Sequence, residues 1–147
     1  MTLKAQISED MKNAMRAKDS VRLGTIRLLQ AAIKQREVDE RIELTDPDVI
    51  SVIEKMLKQR RDSIAAYESA DRVDLADVEK AEVVILQTYL PQQLTEEEIS
   101  ALLEKVVTDT GAASIKDMGK VMAAIKPLVA GKADMGQISG LIKTRLA

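Results

Sequence analysis

"LQTYLPQQLTEEEI", residues 86–99, divides the chain and decides how it folds. Pro91 has no amide hydrogen, and its ring disfavours helical backbone at Leu90, so a helix arriving from upstream ends at "YLP". Just beyond, "TEEE" opens another: Thr95 stands as N-cap and Glu98 as the N3 carboxylate of a capping box. Glu96 and Glu97 complete an acidic first turn that the helix dipole favours. The intervening "PQQL" is a domain boundary between residues 1–91 and 95–147.

Outward from this boundary, every long segment repeats its apolar residues at helical period, and no alternating strand pattern survives. Upstream, a first helix over about 3–17 aligns Leu3, Ile7, Met11, Ala14 and Met15. A second runs from Asp19–Ser20 to about 38, and a third from the "TDPD" cap at Thr45 to about Ala70. "DRVDLAD" opens a fourth. Downstream, one helix buries Ile99, Leu102, Leu103 and Val106 and stops at Gly111. Another begins at Ser114 with Ile115, Met118, Val121, Met122 and Ile125 on one face, and Gly131 ends it. Asp134 to Gln137 cap a last helix carrying Ile138, Leu141, Ile142 and Leu146. The expected fold is all-α: a four-helix N-terminal domain followed by a small three-helix C-terminal domain.

Composition agrees with helices and removes much chemistry. The chain has no Phe or Trp, and Tyr67 and Tyr89 are its only aromatics, so the core is aliphatic. Without Cys there are no disulfides or thiolate metal sites. Without His the usual general base and the commonest metal ligand are missing. The serines are scattered, and no acidic cluster has metal-site spacing, so no catalytic residue, metal or cofactor is assigned. No stretch approaches the roughly 18 apolar residues of a membrane span. The charged start, "MTLKAQISEDMK", has no apolar leader, which points to a cytoplasmic protein with no membrane partner.

Charge is distributed unevenly. Residues 111–147 carry Lys116, Lys120, Lys126, Lys132, Lys143 and Arg145 against Asp117 and Asp134, a local charge of +4 in a chain of net charge −2. Five of the six glycines lie there as well. A nucleotide P-loop is rejected, because "GKVM" sits inside a helical pattern and "GKAD" lacks the upstream glycine and the following Ser/Thr. Gly119 and Ala123, near Lys116 and Lys120, would admit a close ligand backbone while the lysines meet its charge. Gly119 is expected in mid-helix, where it is worth about 1 kcal/mol less than Ala. Lys126, Lys132 and Lys143 extend the patch. Phosphate of structured RNA is the natural partner, since aromatics for base stacking are scarce.

The second helix has its apolar arc at Val21, Leu28, Leu29, Ala32 and Ile33. Three charged residues fall on such arcs: Arg22 between Leu29 and Ile33, Arg60 between Tyr67 and Ile53, and Glu82 between Leu75 and Tyr89. Glu79 lies at the edge of the same arc. Buried alone, each would be costly, whereas a guanidinium fork and a carboxylate satisfy one another. We therefore expect an Arg22/Arg60–Glu82 network with Glu79 as an alternate member. It would act as a polar link fixing helix register, as the lining of an open groove, or in general acid chemistry.

"RLLQAAIKQRE", "KQRRDSIAAYESADRVDLADVEKAEVVILQTYLPQQLTEEEI" and "SIKDMGKVMAAIKPLVAGKAD" together resemble the YqeY proteins of the GatB/YqeY family over nearly the whole chain. The most specific runs are E-x-x-E-x-x-x-[IL]-x-x-Y-L-P, Glu79 to Pro91, and K-D-M-G-K-V-M at 116–122. Departures are "KADMGQ", where Met135 separates the usual Asp–Gly pair, and the spacer Pro127–Leu128–Val129. The resemblance implies a C-terminal domain similar to the tail of the GatB subunit of tRNA-dependent amidotransferase, a tail that helps hold misacylated tRNA. It also brings the class label carbon–nitrogen ligase with glutamine as amido-N-donor. The ATP and Mg cradle and the Ser–Ser–Lys amidase centre of that enzyme have no counterpart here. Three readings follow: a non-catalytic tRNA-binding module, an accessory component acting in trans with amidotransferase subunits, and a protein-interaction adaptor working through the N-terminal domain.

Overall fold

The computed structural model describes all 147 residues, and they form seven α-helices and one 3-10 turn with no strand, an all-α protein. The chain divides into two compact units, Met1–Leu90 and Pro91–Ala147, each around its own aliphatic core.

The first unit contains α1 (Leu3–Arg16), α2 (Ser20–Glu40), α3 (Asp46–Ser69) and α4 (Val73–Gln87). Capping starts the helices where the side chains allow. Thr2 Oγ1 accepts from Ala5 N, Asp19 Oδ1 accepts from Arg22 N, and the Thr45 amide and hydroxyl both donate to Asp48 Oδ2. α3 packs most extensively on α4, and α1 on α2. Ile7, Ile26, Leu29, Val49, Ile53, Leu57 and Leu86 are buried at the centre, closed by Ala14, Ile33, Leu44 and Tyr89.

α2 is rotated from the expected arc. Val21 and Leu28 are exposed, while Thr25 and Ile26 are buried beside Leu29 and Ile33. The buried hydroxyl of Thr25 escapes an unmet hydrogen bond by donating to Val21 O, one turn back at 3.0 Å.

The second unit contains α5 (Glu96–Thr110), a 3-10 turn (Ile115–Asp117), α6 (Met118–Val129) and α7 (Met135–Leu146). The capping box forms, with Glu98 N donating to Thr95 Oγ1 at 3.1 Å and Thr95 N to Glu98 Oε1 at 3.4 Å. Gly111 closes α5 at φ 67, and Gly131 follows α6 at φ 73; both need the left-handed region that glycine enters freely. The "PQQL" stretch is tied into this unit: Leu94 N donates to Lys132 O at 2.9 Å, and Gln93 Nε2 to Gly131 O at 2.8 Å. Ile99, Leu103, Val106, Val121, Ile125, Val129, Ile138 and Ile142 form the core.

The expected helix from Ser114 is two pieces. Ala113 N and Ser114 N both donate to Asp117 Oδ2, at 2.9 and 3.3 Å, which holds a tight turn before the α-helix starts at Met118. α6 also tolerates Pro127 in its last turn. The amide that proline lacks would have met Ala123 O, and both residues lie on the exposed face, where water can serve that carbonyl.

Candidate functional site

In the first unit α3 and α4 carry charges toward each other. Arg60 Nε donates to Glu82 Oε2 at 2.8 Å, with Glu79 Oε2 at 4.0 Å. The Arg60 side chain is 12% exposed and that of Glu82 18%, so the pair is largely withdrawn from water and each charge depends on the other.

Arg22 does not join them, which corrects the expected network. It sits in the first turn of α2, with its Nη2 4.0 Å from Asp10 Oδ2 on α1 and beside the Tyr89 phenol. Seven residues of α4 and the turn after it separate Glu82 from Tyr89, roughly 10 Å at helical rise. The two arginines therefore find different carboxylates, Arg60 near the middle of α4 and Arg22 beside the turn that follows it.

The Tyr89 hydroxyl donates to Asp10 Oδ2 at 2.7 Å. Burial pushes the phenol well above the ordinary tyrosine range, and the hydrogen bond to Asp10 adds to the shift. A second tie joins Lys4 Nζ on α1 to Glu37 Oε2 on α2 at 2.6 Å, and the same oxygen accepts from Leu44 N at 2.9 Å. The Lys4 ammonium and the Leu44 amide hold Glu37 below its usual value. Sequence reasoning missed Asp10, Lys4 and Glu37. The available signal was that Lys4 and Asp10 flank the apolar stripe of α1.

The second unit has the opposite arrangement. Lys116 lies in the 3-10 turn, Lys120 in the first turn of α6 and Lys126 in its second half. Lys132 lies between α6 and α7, and Lys143 in the last turn of α7. All five are exposed. At 100° per residue, Lys120 and Lys126 stand on either side of a surface strip made by Gly119, Ala123 and Pro127, opposite the buried Val121, Ile125 and Val129. Arg145 is taken out of this set by Glu104 of α5, which it grips through Nε and, at 3.2 Å, through Nη2. Asp117 is occupied by backbone amides, which hold its carboxyl below the usual range, with Lys120 contributing.

Gly119 is the second residue of α6 and not a mid-helix residue, because the helix begins at Met118. A Cβ built there meets nothing within 4 Å, so nothing inside the protein requires glycine at this position. No group of three or more acidic side chains is placed to hold a metal ion, and no helix is long and apolar enough to cross a membrane.

A family model described as "Yqey-like protein" matches residues 4–146. A protein of Kluyveromyces lactis named "Altered inheritance of mitochondria protein 41, mitochondrial" is 38% identical over 109 residues, covering 71% of this chain and 58% of its own length. Proteins of the same name from Vanderwaltozyma polyspora and Pyrenophora tritici-repentis are 34% and 35% identical over 119 and 126 residues. These cover 76% and 82% of this chain, and 64% and 70% of the relatives. The chain thus spans about six-tenths of the first two relatives. Their names overturn the expectation of a cytoplasmic protein: relatives similar over most of the chain are mitochondrial, and a charged start without an apolar leader does not specify the compartment. With a match from residue 4 to residue 146, the chain belongs to the YqeY-like protein family.

Proposed function

We propose that this chain is a non-catalytic helical module that binds tRNA through the basic face of its C-terminal unit. One observation carries the reading: Lys116, Lys120, Lys126, Lys132 and Lys143 are exposed, while the available carboxylates nearby are engaged elsewhere, Asp117 with backbone amides and Glu104 with Arg145. Exposed lysines are the groups that release counterions from a phosphate backbone. Small residues between Lys120 and Lys126 allow that backbone to come close. The resemblance of residues 95–147 to the GatB tail selects tRNA among structured RNAs and relates the chain to an amidotransferase that would supply the chemistry.

Filter binding of tRNA at two salt concentrations tests this reading. Affinity should fall steeply with salt. Replacing Lys116 and Lys120 together by Ala should weaken binding and flatten the salt slope by about 1 for each lysine. A folded protein that does not retain tRNA at low salt would refute the proposal. Capture of amidotransferase subunits without RNA would move the function to the N-terminal unit.

A further inference from the structure

The first unit contains a pocket that the RNA reading does not use. Gln6 and Asp10 of α1, Arg22 of α2, and Val84, Ile85, Thr88 and Tyr89 at the end of α4 line an open groove of about 390 Å³. That is near the lower end of small-molecule sites, roughly 300–1,000 Å³, and suits a single metabolite. We propose that it binds a small zwitterion of the α-amino-acid class, with the ligand carboxylate on Arg22 and its ammonium on Asp10.

The charges select this class. Arg22 reaches Asp10 only at 4.0 Å, beyond hydrogen-bond distance, and its side chain is 46% exposed, so most of its planar fork is open to a carboxylate. Asp10 uses Oδ2 to accept from Tyr89, and its other oxygen is available to an ammonium donor. The phenol directs its own proton at Asp10 while Arg22 faces its oxygen, which holds the two charged groups on one side of the pocket. The pocket therefore presents one positive and one negative group side by side. A phosphate or any other dianion would meet the Asp10 charge beside the guanidinium, and a simple amine would meet Arg22. A ligand with an ammonium and a carboxylate on one carbon meets neither penalty. Val84, 64% exposed, and Ile85 provide an apolar wall for its side chain. Thr88 adds no donor toward this wall, because its hydroxyl is bonded to Ile85 O at 2.6 Å.

The twenty L-amino acids, each at millimolar concentration, form the probe set for the full chain. Thermal shift comes first, followed by calorimetric titration and backbone NMR. At least one amino acid should raise Tm and move the amide signals of residues around 10, 22 and 85–89. Its N-acetyl and carboxamide derivatives should bind at least tenfold more weakly. Arg22→Ala should lose at least tenfold in affinity, and Arg22 is exposed enough for the variant to fold. Asp10→Asn keeps an acceptor for Tyr89 while removing the charge, and should lose binding to the same degree. The proposal is overturned if no amino acid binds, if the N-acetyl form binds equally well, or if both variants bind as the parent does. None of these outcomes bears on tRNA retention by the lysines of the other unit.

Discussion

The two units use charge in opposite ways. In Met1–Leu90, Arg60 with Glu82, Lys4 with Glu37 and Asp10 with Tyr89 join different helices, and each pairing ties one element to another. In Pro91–Ala147 the five lysines are exposed, and the aliphatic core does most of the joining, helped by one exposed pair, Glu104 with Arg145. In the first unit the charges that lie between helices are committed to one another, with Arg22 the one left largely open. The C-terminal unit is held mainly by Leu, Ile and Val, with that one pair between α5 and α7, and its five lysines stay at the surface.

The largest effects should come from the two cores, which are separate. Leu86→Ala and Ile142→Ala each delete a fully buried side chain, one in each unit. Each should cost about 2–5 kcal/mol. Urea unfolding followed by NMR signals from each unit should show Leu86→Ala acting on residues of the first unit and Ile142→Ala on those of the second. Equal loss in both units from either change would break the division.

Next comes Arg60→Ala, which strands Glu82 and Glu79 against α3. The pair is not fully dry, so the loss should be about 2–3 kcal/mol, below the roughly 3–5 expected for a completely buried pair. The double replacement Arg60→Met with Glu82→Leu should recover most of it, because apolar residues of similar volume remove both charges. A double variant as unstable as the single one would mean that the pair supplies net stability as well as helix register.

Tyr89→Phe should cost about 1.5 kcal/mol, since the lost hydrogen bond runs to a carboxylate that is partly solvated. Its pH dependence is more specific. The folded protein holds the phenol proton above the ordinary value of 10, so between that pH and the raised folded value the unfolded chain binds fewer protons. Tyr89 therefore contributes stability that is complete below pH 10 and declines as pH rises, by up to about 1.4 kcal/mol per pH unit. Lys4 and Lys80, whose values are also raised, decline over a similar range, so the measurement is the difference between parent and Tyr89→Phe. Parallel stability curves above pH 10 would show that Tyr89 is not the group responsible.

What was legible in the sequence follows from how local the signal was. Thr95–Glu98, Thr45–Asp48 and Gly111 act within one turn, and the helix boundaries they mark were readable directly. Arg60 and Glu82 were readable as charges on apolar arcs, although their pairing is a tertiary contact. Arg22 was misassigned because a helical wheel gives a direction around α2 and no position along its neighbours. The α2 arc itself was misjudged. Val21 and Leu28 belong to the apolar arc by hydropathy yet are exposed, while Thr25 is buried because its hydroxyl is satisfied by Val21 O. Asp10 with Tyr89 lies 79 residues apart in sequence, and no local pattern reports such a pair.

The smallest expected change sharpens the contrast most. Gly119 is exposed in the first turn of α6, its φ is not positive, and an added Cβ touches nothing. Within the protein, alanine should therefore be better: Gly119→Ala should raise stability by about 0.5 kcal/mol, less than the roughly 1 kcal/mol of a mid-helix site because the first turn is less constrained. If the lysines on either side bind an RNA backbone, the same methyl group occupies the space that backbone approaches, and tRNA affinity should fall as stability rises. Thermal unfolding and filter binding on one preparation measure both. A variant that is more stable and binds tRNA as well as the parent would leave the lysines as the whole of the site and Gly119 outside it. Opposite signs in the two measurements would place the ligand's path over Gly119 and Ala123, since no contact within the protein accounts for a glycine there.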